Sequence, residues 1–453
     1  MTSTEILSPR MRDTVAAILP TVSSTLNDRS SDNIDLATAE NWLIRPELQR
    51  LYKEAIQSHL REEHLSYTHS FGGDALLLES AADFFNTYFK PLNPVLPEHI
   101  VATPGATSCL DSLLFSICEE GDVVLLPAPY WNGFNFHFRL RAKVKIVPVI
   151  TNYEIPVDGC NYKILHGSLL SSLHEAYEGI ADKSRVRALI VTNPHNPFSQ
   201  CYHEADLREA ILFCQRNGLH YISDELYAMS DLQGKRGYDG NSGAPFVSAL
   251  RLTGEHSESE DEKLDPLSPN KIHIIWSLSK DFGSSGLRLG FLINQDASCK
   301  ALLASVYVLS TIHTSCLSSI AATHLLKSKE LPVLIELAAT RLAEAHKTVM
   351  ARFCKWGTPF IYPHAGPYVA VKLIKQATNL EEEDEGLERL KQAGVVVSSL
   401  RGFGGWKEVS SNLNHYGWVR MTVAVPEARL LDALDRIADA MKYEEKEGSM
   451  QVS

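Results

Sequence analysis

Seven short apolar runs, rich in β-branched residues and separated mostly by helical or loop stretches, constrain the fold of this chain more than any other feature. They are Ile100-Val101-Ala102, Val123 to Leu126, Lys145 to Val149, Ala188 to Val191, His220 to Ser223, Ile272 to Trp276, and Leu289 to Ile293. Strands that are apolar along most of their length are covered on both faces, and strands joined by helix-length connections run parallel. The expected architecture is α/β, with a mixed, mostly parallel seven-stranded sheet between helices. Beyond residue 325 the pattern changes to a long helix through Arg341 and His346, strand candidates at Tyr368–Val371 and Gly394–Val397, and an amphipathic helix near Glu427–Tyr443. That second pattern reads as a smaller α+β domain. Residues 61–325 are expected to form the large domain and 326–453 the small one. Residues 1–60 supply an N-terminal arm, with a helix opened by Ser8-Pro9, and part of the small domain.

Composition excludes several function classes. The 453-residue chain is 44% apolar and 22% charged, the balance of a soluble globular protein. Its net charge of -12 leaves no basic face for a nucleic-acid backbone. The acidic stretch Gly254 to Glu262 has the composition of a solvated loop. Eight cysteines lie scattered, with no CxxC pair and no His/Cys cluster at metal-ligand spacing, so reduced thiols and no metal are expected. No run approaches the ~20 apolar residues of a membrane span, and residues 1–24 lack the basic-then-apolar pattern of a leader. The expected location is the cytoplasm.

The chemistry concentrates after the sixth run, in Ser277-Leu278-Ser279-Lys280-Asp281-Phe282-Gly283-Ser284-Ser285-Gly286-Leu287-Arg288-Leu289-Gly290. A lysine leaving a strand end stands at the rim where such sheets carry their sites. Burial disfavours its ammonium, lowers its pKa and exposes the nucleophilic amine that imine chemistry needs. A lone SxxK is more often a surface lysine, but here the flanks count. Ser277 and Ser279 bring hydroxyls, Gly283, Gly286 and Gly290 let backbone approach a ligand, and Arg288 offers a fork suited to phosphate. A reactive lysine beside a phosphate clamp suggests pyridoxal 5'-phosphate (PLP). The turn Thr103-Pro104-Gly105-Ala106-Thr107-Ser108 leads into a helix expected over Leu110–Cys118. The free N–H groups at its start suit a phosphate as well as an ordinary cap.

The Ser277–Gly290 segment resembles the cofactor-lysine motif of the fold-type I PLP enzymes, the class I/II aminotransferase superfamily. It is most similar to the 1-aminocyclopropane-1-carboxylate (ACC) synthase-like branch, including fungal secondary-metabolite members. The resemblance spans about residues 35–440 and implies PLP as cofactor, with Lys280 holding it as an imine and Ser277 and Arg288 among its contacts. Ala106 and Thr107 match the pair that binds the PLP phosphate. Trp131, in Pro127-Ala128-Pro129-Tyr130-Trp131-Asn132-Gly133-Phe134, takes the place of the aromatic that stacks on the pyridine ring. Asn196 of Asn193-Pro194-His195-Asn196-Pro197-Phe198-Ser199 would bond the phenolic oxygen of PLP, although Ser199 replaces the family's glycine. Asp224 would face the pyridine nitrogen, and Tyr227 would donate to the phenolic oxygen. Arg420, in Tyr416-Gly417-Trp418-Val419-Arg420, matches the arginine that grips the substrate α-carboxylate. Ala39-Glu40-Asn41 is similar to the ACC synthase signature near the substrate, which brings in Glu40. Tyr67 matches the tyrosine that reaches the phosphate of a neighbouring subunit, so a homodimer is implied. The usual arginine that follows is absent, and Leu76-Leu77-Leu78 stands there instead.

The family's amino-acid enzymes labilise the Cα–H bond of an L-α-amino acid, with the freed Lys280 amine as general base. The shared motifs leave transamination and carbon–sulfur elimination both open. ACC synthase proper is disfavoured by Ser199, Trp131 and the leucine run. A non-catalytic scaffold or regulator is disfavoured because Lys280 and Asp224 are both present.

Overall fold

The structure is a computed structural model that describes residues 6–9, 11–12, 15–16, 32–67, 70–151, 161–162, 169–232, 243–254, 267–310, 314–410 and 415–444. All seven apolar runs are strands of one sheet: β1 (Ile100–Thr103), β2 (Val123–Ala128), β3 (Lys145–Ile150), β4 (Val186–Thr192), β5 (His220–Asp224), β6 (Ile272–Ser277) and β7 (Gly290–Ile293). Their order is β1-β7-β6-β5-β4-β2-β3. β7 runs antiparallel to β1 and β6, and every other pairing is parallel. β1, β2, β6 and β7 are buried at every residue, the environment that their largely apolar sequences require.

The lysine-bearing strand is anchored by an aromatic cluster. Trp276, fully buried near the end of β6, lies 4.7 Å from Phe84 and stacks on Phe291 at 6.0 Å. The rings of Phe85, Phe89 and Phe282 meet it edge-on. Each buried aromatic contributes about 1.5–3 kcal/mol, so shifting this end of the strand would cost several such contacts.

A second sheet contains β8 (Phe360–Ile361), β9 (Tyr368–Val371), β10 (Ser398–Ser399) and β11 (Val419–Thr422), ordered β10-β11-β9-β8. Its far edge is Asn161–Tyr162, which pairs parallel with β8. Three helices matter below or match the sequence pattern: α1 (Ala106–Ile117), α2 (Leu331–Trp356) and α3 (Glu427–Met441).

Two expectations need correction. α1 begins at Ala106, not Leu110, because Gly105 at φ +91° caps it and lets the helix start directly after the β1 turn. The strand expected over Gly394–Val397 is split: Val395–Val396 pairs with Ile34–Asp35, while Ser398–Ser399 pairs with β11. Of the N-terminal arm, the Ser8 carbonyl accepts the N–H groups of Met11 and Arg12, and the described residues 9, 11–12 and 15–16 are helical. Most of the arm, and the acidic stretch after Gly254, lie outside the described residues. Among the described residues no helix is long and apolar enough to cross a membrane.

Candidate active site

The carboxyl ends of β1, β2, β4, β5 and β6 open on one rim, as expected for a sheet of this kind. The lysine turn comes first. Ser277 caps the single helical turn Leu278–Asp281, its Oγ accepting the Ser279 N–H at 3.3 Å. Gly283 holds φ +55° against the Asn41 carbonyl, where a Cβ would come within 1.8 Å, so this approach is closed to any other residue. Lys280 Nζ donates to the Ala39 carbonyl at 2.7 Å. Burial, then the nearby Arg420 guanidinium, bring its pKa from 10.5 down to about 8, against the pull of Glu40 and Asp224.

Asp224 ends β5. Thr192 Oγ1 donates to its Oδ2 at 3.1 Å, while Oδ1 is buried with no partner among the described residues. Burial pushes this carboxyl up to about 6, only partly offset by Thr192, the Leu226 N–H and Lys280. Tyr227 is buried three residues on, and burial pushes its phenol up to about 12.

Arg420, on β11, reaches the same space from the second sheet. It is 5% exposed, its Nη1 donates to Asn196 Oδ1 at 3.1 Å, and its Nη2 donates to the Ala37 carbonyl. Its Nε is buried with no partner among the described residues. Tyr368 and Phe403 lie under the guanidinium at 5.1 and 5.3 Å, and desolvation lowers its pKa. An unpaired buried polar atom costs about 1–3 kcal/mol, which a bound ligand recovers.

At the start of α1, Arg288 turns back at φ +50°, with Nη1 on the Ser285 carbonyl at 2.9 Å and Nη2 on the Pro104 carbonyl at 3.4 Å. A Cβ on Gly105 would stand 2.5 Å from Arg288 Nη2, and one on Gly290 would stand 2.7 Å from the Ala106 N. The guanidinium and the helix N-terminus with Ala106 and Thr107 thus form one positive cradle. Trp131 follows β2, edge-on to Phe134 at 5.5 Å and beside His137 at 5.7 Å.

Glu40 lies beside the lysine with both oxygens engaged. Its Oε2 pairs with Arg45 at 2.7 Å and its Oε1 accepts from Ser285 Oγ at 2.6 Å. Burial opposes its ionisation, but Ser285, Arg45 and Lys280 together lower its pKa. Tyr67 stands apart from the rest. It is 84% exposed on the wall of a cavity of about 680 Å³ shared with His59, His64, Leu76, Cys316 and His324. Leu77 and Leu78, where an arginine was looked for, are core residues, and Leu76 lines that same cavity.

Sequence reasoning missed Tyr368. It is fully buried, edge-on to Tyr227 at 5.3 Å and under Arg420, but in sequence it is only one residue of an apolar strand. Ser199 explains its fixed position: it adopts φ +56°, and its Oγ donates to the Tyr368 carbonyl. Ser199→Gly removes a left-handed strain of about 1–2 kcal/mol but also the hydrogen bond and some unfolded-state stiffness. Ser199→Ala keeps the strain and loses the bond. Chemical denaturation should therefore rank them wild type above S199G above S199A, with S199A lower by about 2 kcal/mol.

Residues 32–437 match the family model for aminotransferase class I and II. The chain belongs to that family. It is 38% identical over 434 residues to the probable aminotransferase aclI of Aspergillus oryzae, covering 95% of this chain and 97% of that one. It is 33% identical to the probable aminotransferase sirI of Leptosphaeria maculans, covering 97% and 100%. The ACC synthase-like protein 1 of Mus musculus is 28% identical, covering 92% and 77%. Among solved structures, a single mutant of Thermus thermophilus aspartate aminotransferase superposes with a TM-score of 0.71 at 21% identity, covering 96% and 99%, a likeness of fold. Class I and II aminotransferases are PLP-dependent, and this aminotransferase-family chain is a PLP enzyme.

Proposed function

We propose that this aminotransferase-family enzyme moves the amino group of an L-α-amino acid to a 2-oxo acid, in specialised metabolism and in the cytoplasm. The observation that carries the reading is the Lys280 amine, softened to a pKa of about 8, in one buried space with a half-paired carboxyl and a half-paired guanidinium. The named aminotransferase relatives support it. The chain's residues fit PLP. Asp224 Oδ1 is a buried acceptor suited to a protonated ring nitrogen, and the Arg288–α1 cradle with Ala106 and Thr107 suits a phosphate. Trp131 supplies a ring face, Asn196 and Tyr227 supply donors for a phenolic oxygen, and Ser277 fixes the lysine turn.

When bound, PLP supplies an electron sink for the carbanion at Cα. The chain's residues do the rest. Arg420 takes the α-carboxylate through Nε and an Nη, two parallel hydrogen bonds that orient Cα toward the lysine. Lys280 Nζ, released from the Ala39 carbonyl, would take the proton from Cα as general base. Asp224 would hold negative charge toward a protonated ring nitrogen, and Tyr227 would donate its proton to a phenolic oxygen. Glu40 acts through its charge beside Lys280, since neither of its oxygens is unengaged.

The test uses PLP-loaded enzyme with a panel of L-amino acids and cysteine conjugates. Without an amino acceptor, we expect one equivalent of 2-oxo acid per site and no ammonia, with turnover resuming when a 2-oxo acid is added. Continuous release of ammonia and thiol without an acceptor would instead make the protein a carbon–sulfur lyase.

The two sheets support a division into residues 61–325 and 326–453, with residues 1–60 adding an arm and the Ile34–Asp35 strand; Asn161–Tyr162 crosses to the second sheet. We also propose a homodimer in which Tyr67 serves the partner's phosphate. Its exposure, and that of Leu65, Phe71 and Leu76 close to it in sequence, supports this. Mixing Tyr67→Ala and Lys280→Ala proteins, each impaired alone, should raise activity above that of either through hybrids that hold one intact site. No recovery after subunit exchange would place Tyr67 outside the site.

A further inference from the structure

The residue after the lysine is an acid that the proposed mechanism leaves unused. Asp281 is 6% exposed, and its Oδ2 accepts Trp276 Nε1 at 2.8 Å. Its Oδ1 is buried with no hydrogen-bond partner among the described residues. The Met229 N–H faces the carboxyl, and the Asp281 main-chain carbonyl accepts Asn41 Nδ2 at 3.1 Å. One residue therefore meets three segments that build the site: β6 through Trp276, the turn after Tyr227 through Met229, and the 37–45 segment that holds Lys280 Nζ.

Among the described residues no cation pairs with this carboxyl. The Lys280 ammonium is directed to Ala39, and both donors facing Asp281 are neutral. Tyr227 faces this carboxyl, and an anion at Asp281 would push its phenol up further; Lys280 is the neighbour of Asp281 in the chain. A buried carboxylate with one oxygen unpaired and no cation beside it is strongly unfavourable, whereas the neutral acid has no net charge to desolvate. Burial accordingly pushes Asp281 up to about 8.

We propose that Asp281 is a positioning residue, which joins the Lys280 turn to Trp276 and to the segment after Tyr227 as a neutral carboxylic acid. The neutral form keeps a further negative charge, beyond those of Glu40 and Asp224, away from the lysine turn and Tyr227, so the lysine amine stays available near neutral pH. The proposal rests on the reading of Lys280 as the cofactor lysine.

The test compares wild type, Asp281→Asn and Asp281→Ala. With PLP-loaded enzyme, D281A should lose at least tenfold in kcat with KM little changed, and D281N, which keeps the shape and neutrality, should recover most of that loss. The second readout is melting of the PLP-free proteins across pH. Below pH 4 the acid is protonated both folded and unfolded. As pH rises toward about 8 the unfolded chain releases the proton while the folded one keeps it, so wild type should lose stability relative to D281N through that window and level off above it. A D281N protein as impaired as D281A, with a wild-type-to-D281N melting difference that does not change with pH, would overturn the proposal. If D281A fails to fold, the D281N comparison decides alone. Wild type that takes up no PLP on Lys280 would sink the cofactor-lysine reading instead, while the melting series would still judge Asp281.

Discussion

Replacing Lys280 by alanine should leave a folded protein whose activity falls by about 10²–10⁴, the contribution of a positioned general base, and which no longer holds PLP covalently. The turn should survive, because its fixing contacts are the Ser277 cap, Gly283 against Asn41, and Asp281 on Trp276. The wild-type amine adds a pH test. With its pKa brought from 10.5 to about 8, ammonium dominates below that value and the nucleophilic amine above it. Capture of PLP by the apoenzyme should therefore accelerate as pH rises through about 8 and then plateau. Acceleration that continues toward pH 10 would mean that Lys280 is not desolvated as described.

The second large effect is at Arg420. Lysine there keeps the charge but not the planar fork, so one of two charge-assisted hydrogen bonds to the carboxylate is lost, worth about 1.5–3 kcal/mol, or roughly 10–100-fold in kcat/KM. Alanine removes both and leaves Asn196 Oδ1 without its donor, and the loss should approach about 10³. The diagnostic comparison is the amino acid against the matching amine without a carboxylate. Wild type should prefer the amino acid strongly, and Arg420→Ala should lose most of that preference. A preference that survives intact would mean that the carboxylate is bound elsewhere.

Much of this molecule was legible because burial on both faces leaves a mark in sequence. The seven apolar runs could hardly be anything but strands, and the seven strands share one sheet. Residues at strand ends were legible for a related reason: Asp224, Lys280 and Asn196 sit where short motifs follow runs that are easily seen. What escaped leaves no such mark. Asn161–Tyr162 and Phe360–Ile361 are two-residue strands, too short to show a period. The Ala37 and Ala39 carbonyls, which accept from Arg420 and Lys280 across 383 and 241 residues of chain, are backbone groups that any side chain could accompany. Tyr368 was hidden by its surroundings, since a tyrosine in an apolar strand reads as core, and its place under Arg420 arises only when β9 pairs with β11. Glu40 shows the converse. The signature drew it into the site, and the structure adds what the signature could not, that Arg45 and Ser285 already engage its oxygens.

Lys280 is proposed here as the residue that holds the cofactor. The most direct test is to load the purified protein with PLP, reduce it with borohydride so that the linkage becomes permanent, digest it and map the modified peptide by mass. A single pyridoxyl group is expected on the peptide containing Ser277-Leu278-Ser279-Lys280, present in wild type and absent in Lys280→Ala. A group fixed on another lysine, or none at all under conditions where the folded protein is saturated with PLP, would contradict it.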